Sequence, residues 1–286
     1  MTKIKSVGAV LGVIFLLCAS APAKELPFPI GEELIYNITW NGLPIAWSKA
    51  VTQMDTFEGR PVLAMRITVN TFPFFDHICK VEDFYEGLID PETFLPIRFE
   101  QNIKERNYRR HDITTFDYQT LQAHYVRMPT GKTKDYKIEP NARDIPSYMY
   151  FMRSVSLEED KETRDRVMSG EKIYDLFIKA FKIEPIELPH YDREIPCLTI
   201  KPEAMFDGLF VRKGKATVWI SRDPRHLLTY AKVSTPFGRV SLTLHEVNGP
   251  GNDFWITEKK DGDDKEKKQP RDRGDSGALG LDPAAR

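Results

Sequence analysis

The chain has 286 residues, 41% of them hydrophobic and 29% charged, so most of it can bury a core. That composition excludes a wholly disordered chain and a polytopic membrane protein. Its 41 Lys and Arg residues almost balance 42 Asp and Glu residues, which argues against a general nucleic-acid or anionic-membrane binder.

The first 23 residues have the pattern of a secretion signal. Lys3 and Lys5 precede an apolar run from Val7 to Leu17, and Ala21-Pro22-Ala23 offers small residues for cleavage. The run is shorter than the roughly 20 residues of a membrane span. We predict export to the periplasm with cleavage after Ala23; the alternatives are an uncleaved anchor and lipidation at Cys18.

Two cysteines would remain in the exported protein, Cys79 and Cys197, in a compartment that permits disulfides. Each lies in a strand-like stretch, so the pair could form a disulfide or be two small buried thiols. At the other end of the chain, residues 249–286 are charged and then small and polar, without apolar periodicity. We predict a disordered tail there, which is either a solvated segment or a contact for an envelope partner.

The middle of the chain alternates apolar and polar residues with a period of two. Leu34 to Trp40 alternates, Asn41-Gly42 follows as a turn signal, and Leu43 to Gln53 can return as a hairpin partner. Ten further strands are predicted at 62–69, 78–89, 97–103, 109–116, 120–127, 171–183, 195–202, 214–221, 228–234 and 239–246. We therefore predict a mainly β domain over residues 24–248. Its single, strongly curved antiparallel sheet of about eleven or twelve strands forms an open or closed barrel.

One stretch departs from this rhythm and predicts a short buried helix from Asp144 to Arg153. Asp144 is the candidate N-cap, a proline falls in the first turn, and Ile145, Met149 and Met152 share one face. The polar stretch from Leu157 to Met168 predicts a second, superficial helix.

Four stretches carry a resemblance to a known family. Phe28 to Ala46 is similar to "G-E-x-L-x-Y-x-V-x-W-x-G-x-P-A-G", with Ile45-Ala46 where two small residues are usual. Asp90 to Glu100 is similar to "D-P-x-T-L-x-P-x-R-F", and Asp144 to Arg153 to "D-x-x-S-x-x-Y-x-x-R". The fourth stretch runs from Gly208 through Trp219 to Asp223. Together they resemble the bacterial family called domain of unknown function 3108.

The resemblance implies a secreted envelope protein of Gram-negative bacteria with no established activity, so it supplies no catalytic residue. We interpret the matched residues physically. Gly31, Gly42 and Gly214 fall where turns need unusual backbone angles, and Asp90-Pro91 sets a turn between strands. Trp40 and Trp219 are predicted to anchor the interior of the sheet.

The sequence lacks the motifs of the common catalytic sites. There is no G-x-S-x-G elbow, and Ala216 stands where a phosphate loop needs a hydroxyl. The six histidines form no H-x-x-x-H or H-E-x-x-H pair, so we predict no metal site and no cofactor.

Two segments remain as candidate binding elements. Phe72, Phe74 and Phe75 fall within one loop between two strands, which must either fold over the core or present a hydrophobic surface at the mouth of a cavity. Arg109 and Arg110 lie in the basic hairpin from Lys104 to His111, where they could meet acidic head groups or discourage edge pairing.

Our leading hypothesis is a non-enzymatic periplasmic protein that holds an apolar or lipid-like ligand in its curved sheet. The candidate ligand-binding residues are Phe72, Phe74, Phe75, Trp40, Trp219, Arg109 and Arg110. The alternative is an envelope assembly or scaffold protein that acts through protein contacts. A third hypothesis is a hydrolase without a recognisable motif. We predict no nucleic-acid partner, and no integral membrane protein after signal cleavage.

Overall fold

The computed structural model describes residues 26–128, 130–189, 191–206, 209–210, 215–236 and 238–250. The predicted signal, Gly214 and the predicted tail beyond residue 250 lie outside them. Within these residues no helix is long and apolar enough to cross a membrane.

The described residues form sixteen strands and two helices. The strands are β1 Glu33–Trp40, β2 Leu43–Phe57, β3 Arg60–Thr71, β4 Glu82–Ile89, β5 Pro96–Glu105, β6 Tyr108–Asp117, β7 Gln122–Arg127, β8 Lys132–Lys137, β9 Arg143–Asp144, β10 Glu162–Ser169, β11 Lys172–Ile186, β12 Ile195–Phe206, β13 Leu209–Phe210, β14 Lys215–Ser221, β15 Leu228–Thr235 and β16 Gly238–Asn248. The helices are α1 Pro73–Cys79 and α2 Ile145–Arg153.

All strands belong to one sheet, in the order β8-β7-β6-β5-β4-β3-β2-β1-β16-β15-β14-β12-β11-β10-β9, with β13 paired to β12. Neighbours are antiparallel except β9 and β10, which run parallel. The first strand pairs with the last, β1 with β16, so the two meanders β1–β8 and β10–β16 join into one surface. The prediction of a mainly β fold is confirmed; the strand number was too low, and β8 and β9 are the free edges of an open sheet.

The sheet curls until its two ends meet through side chains. Tyr136 of β8 donates its hydroxyl to the carbonyl oxygen of Glu171 in the β10–β11 turn, at 2.8 Å. Arg127 of β7 donates from Nη2 to the Glu171 carboxylate at 2.9 Å. Strands far apart in the sheet order are therefore neighbours in space, which gives the barrel-like shape without backbone closure.

Tight turns permit this meander. Asn41 and Gly42 both have positive φ angles, 49° and 88°, as a two-residue hairpin of the predicted kind requires. Gly31, with φ of 90°, lets the chain enter β1 while its amide donates to the Thr52 carbonyl at 2.7 Å. Asp90 Oδ1 accepts from the amides of Glu92 and Thr93 at 3.1 and 2.8 Å, and so fixes the predicted Asp90-Pro91 turn.

Helix α2 lies between the two halves of the curled sheet. Asp144 is its N-cap, as predicted: Oδ1 accepts from the Ser147 amide at 2.7 Å, and Ser147 Oγ accepts from the Asp144 amide at 3.1 Å. Tyr148 packs with the β10–β12 side of the core, and Tyr150 with the β3–β4 side. We call the sheet face that contacts α2 the inner face.

Two details of the predicted helices and one predicted loop are wrong. The buried side of α2 carries Tyr148, Tyr150 and Arg153, whereas Ile145 and Met149 are 38% and 44% exposed. Because both halves of the sheet contact this helix, two of its sides are buried, whereas the sequence pattern predicted one buried side. Residues 157–168 form a loop and most of β10 instead of a second helix, because they pair with β11. The Phe72–Phe75 segment is not a loop, because Phe72 is the N-cap and Pro73 is the first residue of the short helix α1.

Candidate functional site

A buried ionic cluster closes the sheet at the end where α2 lies. Glu32 accepts from Arg153 Nη1 at 2.6 Å and from Arg153 Nη2 at 3.0 Å. Arg225, from the β14–β15 loop, donates from Nε to the same carboxylate at 3.2 Å. The Glu32 side chain is 1% exposed, and the Arg153 guanidinium also stacks over the Phe28 ring at 4.3 Å. Because this cluster is buried and joins three segments of the chain, it holds those segments in place.

Burial and charge act in opposite directions on these carboxyl groups. Burial would raise the pKa of Glu32, but Arg153 and Arg225 lower it below its ordinary value. Burial raises the pKa of Asp144 to about 6, despite its hydrogen bonds from Ser147. Asp144 Oδ2 has no hydrogen-bond partner among the described residues.

The inner face becomes more exposed with distance from α2. Close to the helix its apolar residues are buried, as Tyr36, Leu244 and Met65 show. Toward the α1 end of the same strands the face is mostly apolar, with Ser48 and Thr71 as buried polar members. Its apolar side chains are mostly half-buried, as are Ile38 and Leu242. We call this part the inner apolar stripe. Its members are Ile38, Trp40, Leu43, Ala46, Ile67, Val69, Ala216, Val218, Ala231, Val233, Val240 and Leu242.

Strand register makes this stripe continuous. Val218 pairs with Ala231, Ala231 with Leu242, and Leu242 with Ile38. The six strands β14, β15, β16, β1, β2 and β3 are consecutive neighbours. Five interstrand spacings of about 4.8 Å give a length of about 24 Å. The stripe is thus an apolar surface on the concave side of the sheet, with buried core at its α2 end and exposed side chains such as Trp40 and Leu43 at its other end.

A polar wall continues the inner face on the next strands. Asp83 pairs with Val69 across β3 and β4, and it accepts from the Lys104 amide at 2.9 Å. Further along, buried Asp112 accepts from Gln101 at 2.9 Å and pairs with Arg110. Burial and the Asp83 carboxylate raise the pKa of Glu105. The inner surface is therefore amphipathic, apolar on β14–β3 and polar from β4 onward.

The outer face carries an open cavity of about 660 Å³. Its lining includes Thr39, Tyr230, Arg239, Ser241 and Thr243, which alternate with the stripe residues on β1, β15 and β16. This lining is polar, so the two faces of the same strands offer different chemistry.

The structure gathers four of the predicted ligand-binding residues at the α1 end. Trp40 is 39% exposed and belongs to the stripe, so it does not anchor the interior as predicted. Phe74 is 55% exposed, Phe75 is 8% exposed, and Phe72 is half-buried and stacked on Phe74. Thus Phe75 folds over the core while Phe74 presents apolar surface, and both alternatives left by the sequence occur.

The other three predicted residues lie elsewhere. Trp219 alternates with Val218 and therefore faces away from the stripe, where its Nε1 donates to Glu184 at 3.1 Å and its ring contacts Tyr230. It is half-buried and packs against the core cluster that contains Cys197 and Leu244. Arg110 is paired with Asp112 in the polar wall, whereas Arg109 is exposed at the β5–β6 turn.

Neither a disulfide nor a metal site is present in the described part of the chain. Cys79 and Cys197 are both free, because they lie near opposite ends of the strands, after β3 and at the start of β12. No three His, Cys, Asp or Glu residues among those described are arranged to hold a metal ion.

Sequence reasoning missed Glu32 and Arg225 as partners of Arg153. Glu32 lies in the quoted first stretch and Arg153 in the helix stretch, 121 residues apart, and no local pattern links them. One signal was present: a charged residue directly before a strongly apolar strand needs a partner if it is buried.

The chain is similar to known proteins in its sequence family and in its fold. A family model described as "Protein of unknown function (DUF3108)" matches residues 35–245. No curated protein matches the chain. The crystal structure of a beta-barrel-like protein of domain of unknown function DUF1849 from Brucella abortus is similar, with a TM-score of 0.50 and 8% identity over 77% of this chain and 97% of that one.

Two further crystal structures, both described as "putative", are an exported protein with YmcC-like fold from Bacteroides fragilis and a lipoprotein from Parabacteroides distasonis. The first aligns with a TM-score of 0.36 and 7% identity over 78% of this chain and 98% of that one. The second aligns with a TM-score of 0.34 and 9% identity over 78% and 97%.

Proposed function

This chain belongs to the DUF3108 family of proteins of unknown function, and we propose that it is an exported envelope protein that holds the acyl chain of a lipid on its inner apolar stripe. The single observation that carries this proposal is the exposure of the stripe. Apolar side chains such as Ile38, Val233 and Leu242 are half-buried on a concave face, where an ordinary core would bury them.

The dimensions of the stripe suit such a ligand. Its length of about 24 Å exceeds the ~15 Å that one leaflet contributes to a bilayer core ~30 Å thick. An acyl chain lying across β14–β3 would cover side chains that water now contacts, and such burial contributes about 25 cal/mol per Å². The adjoining polar wall offers hydrogen-bonding groups to the polar end of an amphipathic ligand.

The N-terminal pattern of the sequence supports export. Lys3, Lys5, the apolar run and Ala21-Pro22-Ala23 are features of a cleaved signal. We therefore place the folded domain, residues 24–248, in the periplasm, with the tail from residue 249 attached to it. In that compartment the lipid would come from the envelope membranes.

The test is native mass spectrometry of the full chain purified from its own periplasm. We expect a bound species with the mass of one lipid, released by organic extraction. Val233→Asp places a charge on the stripe and should abolish this species. Ser234→Asp is the matched control, since the neighbouring residue points away from the stripe and is exposed; it should retain the lipid.

Binding of 1-N-phenylnaphthylamine, an apolar fluorescent probe, to delipidated protein is a second test. The probe should bind wild type and Ser234→Asp equally and Val233→Asp at least tenfold more weakly. A wild-type protein that carries no lipid and binds no probe contradicts the proposal. Equal binding by the two Asp variants also contradicts it.

A further inference from the structure

Exposed large apolar side chains concentrate at the α1 end of the sheet. Because antiparallel strands alternate in direction, the β1–β2, β5–β6 and β7–β8 turns and α1 all lie at this end. The residues are Trp40, Leu43, Phe74, Ile78, Tyr108 and Met128, between 39% and 62% exposed. We call this set the apolar rim. Five other large apolar residues of the described chain are exposed: Ile145 and Met149 lie together on α2, and Ile30, Met54 and Ile183 lie on separate segments.

Backbone contacts hold the centre of this rim together. The Phe72 amide donates to the Ile45 carbonyl at 2.9 Å, which fixes α1 beside the β1–β2 hairpin. The Arg106 amide donates to the Lys80 carbonyl at 2.7 Å, which fixes the other end of α1 beside the β5–β6 turn. Phe75 is buried beneath the helix, so Phe74 and Ile78, four residues apart, project together from its exposed side.

A basic corner adjoins these side chains. Lys104, Arg106 and Arg109 are exposed in the β5–β6 hairpin. Among the described residues no carboxylate oxygen lies within 4.0 Å of their charged groups. Lys80 at the end of α1 is paired with Glu82 at 2.9 Å. Arg106 and Arg109 therefore place positive charge next to projecting apolar groups, whereas Lys104 lies within electrostatic reach of Glu82.

We propose that the apolar rim docks on a bilayer that contains anionic phospholipids. Phe74 and Ile78 enter the acyl boundary, Trp40 lies at head-group level, and Lys104, Arg106 and Arg109 meet the phosphates. The near balance of charge over the whole chain excludes a general electrostatic binder, but this corner is local. Side chains projecting singly from turns suit a fluid interface better than the close-packed core of a protein interface.

Trp40 and Leu43 belong to both the rim and the inner apolar stripe, so the docked protein would open its stripe toward the membrane. Docking itself does not depend on the stripe holding a lipid. Val233→Asp should lose the copurified lipid and still bind vesicles, whereas rim variants should lose vesicle binding first. The two proposals can thus fail separately.

The test is co-sedimentation of the full chain with vesicles of phosphatidylethanolamine and phosphatidylglycerol, compared with phosphatidylcholine vesicles. Wild type should bind the anionic vesicles at least tenfold more tightly, and added salt should weaken binding. The double variant Phe74→Ser with Ile78→Ser, and separately Arg106→Glu, should each reduce affinity about tenfold or more. Circular dichroism melts check that each variant folds.

Matched controls come from the opposite end of the sheet. Met54→Ser removes an apolar side chain that is 43% exposed, and Arg60→Glu reverses an exposed arginine in the β2–β3 turn. Both should bind as wild type does. Equal losses in controls and rim variants overturn the proposal, as does the absence of wild-type vesicle binding. A site-specific crosslink from position 74 to one envelope protein, without vesicle binding, would make the rim a protein interface instead.

Discussion

Glu32 and Arg153 form a two-point ion pair across the closed end of the sheet, with nitrogen–oxygen distances of 2.6 and 3.0 Å. Glu32 precedes β1 and Arg153 ends α2, so the pair joins the helix to the strand at the centre of the sheet. Arg225 completes the cluster from the β14–β15 loop. The pair thereby holds together three segments that are remote in sequence.

Glu32→Gln should destabilise the protein by about 3–5 kcal/mol, because it leaves two buried arginines without their counter-charge. Urea unfolding followed by circular dichroism measures this. Glu33→Gln is the matched control: its pair with Lys49 is partly exposed, so it should cost about 1 kcal/mol or less. Equal costs for the two substitutions would refute a structural role for the buried cluster.

Asp144 should make the protein less stable as the pH rises from 4 to 7.5. Its folded pKa, raised to about 6 by burial, lies above the unfolded value of about 3.9. Such a group contributes stability that is fully present below the unfolded pKa and is lost as the pH rises through the folded pKa.

Asp144→Asn keeps an N-cap side chain and removes the charge. Wild type should lose this contribution between pH 4 and pH 7.5, whereas the variant should not. The free energy of unfolding of the variant minus that of wild type should therefore rise by about 2–3 kcal/mol over this range. Unfolding of both proteins at the two pH values measures the difference, and the comparison cancels effects of Glu32. A constant difference between the proteins would show that Asp144 titrates normally.

The orientation of α2 can be tested at two adjacent residues. Tyr148 is 4% exposed and donates its hydroxyl to Asp165 at 2.8 Å, whereas Met149 is 44% exposed. Tyr148→Ala should cost about 3–5 kcal/mol, and Met149→Lys about 0.5 kcal/mol or less. Thermal or urea unfolding gives both values. The reverse order would restore the orientation that the sequence pattern suggested.

Glu171 should control opening of the seam between the two ends of the sheet. It accepts from Arg127 and Lys132, both at 2.9 Å. Because these groups are partly exposed, Glu171→Ala should cost only about 1 kcal/mol globally. Hydrogen exchange of β8 should nevertheless become faster, since that free edge loses the ion pair between Lys132 and Glu171.

Glu158→Ala is the control for this experiment, because the Glu158–Lys161 pair is exposed and does not link the sheet ends. It should leave exchange in β8 unchanged. Unchanged exchange in Glu171→Ala would mean that Tyr136 and packing alone hold the seam.

Local chemistry explains which parts of the fold could be predicted. The β1–β2 hairpin follows from alternation and from Asn41-Gly42, and the start of α2 follows from Asp144 as a cap. These signals act within a few residues, where backbone sterics and short hydrogen bonds decide the conformation. The strand β8, with the sequence KTKDYK, lacks apolar alternation because it is an exposed edge, and it was missed for that reason.

The candidate site was less predictable. The sequence indicated Phe74 and Trp40 as candidate ligand-binding residues, and both lie at the α1 end of the sheet. It could not show that Trp219 faces the other side, since two β-bulges and the strand order set which faces align. Nor could it show that Ile38, Val233 and Leu242 line one surface, because register between distant strands is not encoded in either strand alone.

The sequence by itself determined a near-neutral chain with a β-rich middle, one capped helix, a secretion-like start and a charged tail. Each of these depends on composition or on neighbours along the chain. Only the tertiary structure decided that the sheet is open, that Glu32 meets Arg153, and that apolar residues beyond α2 remain half-exposed. Those features arise where remote segments meet, and the free energy of burying a charge or leaving a surface open depends on what meets it.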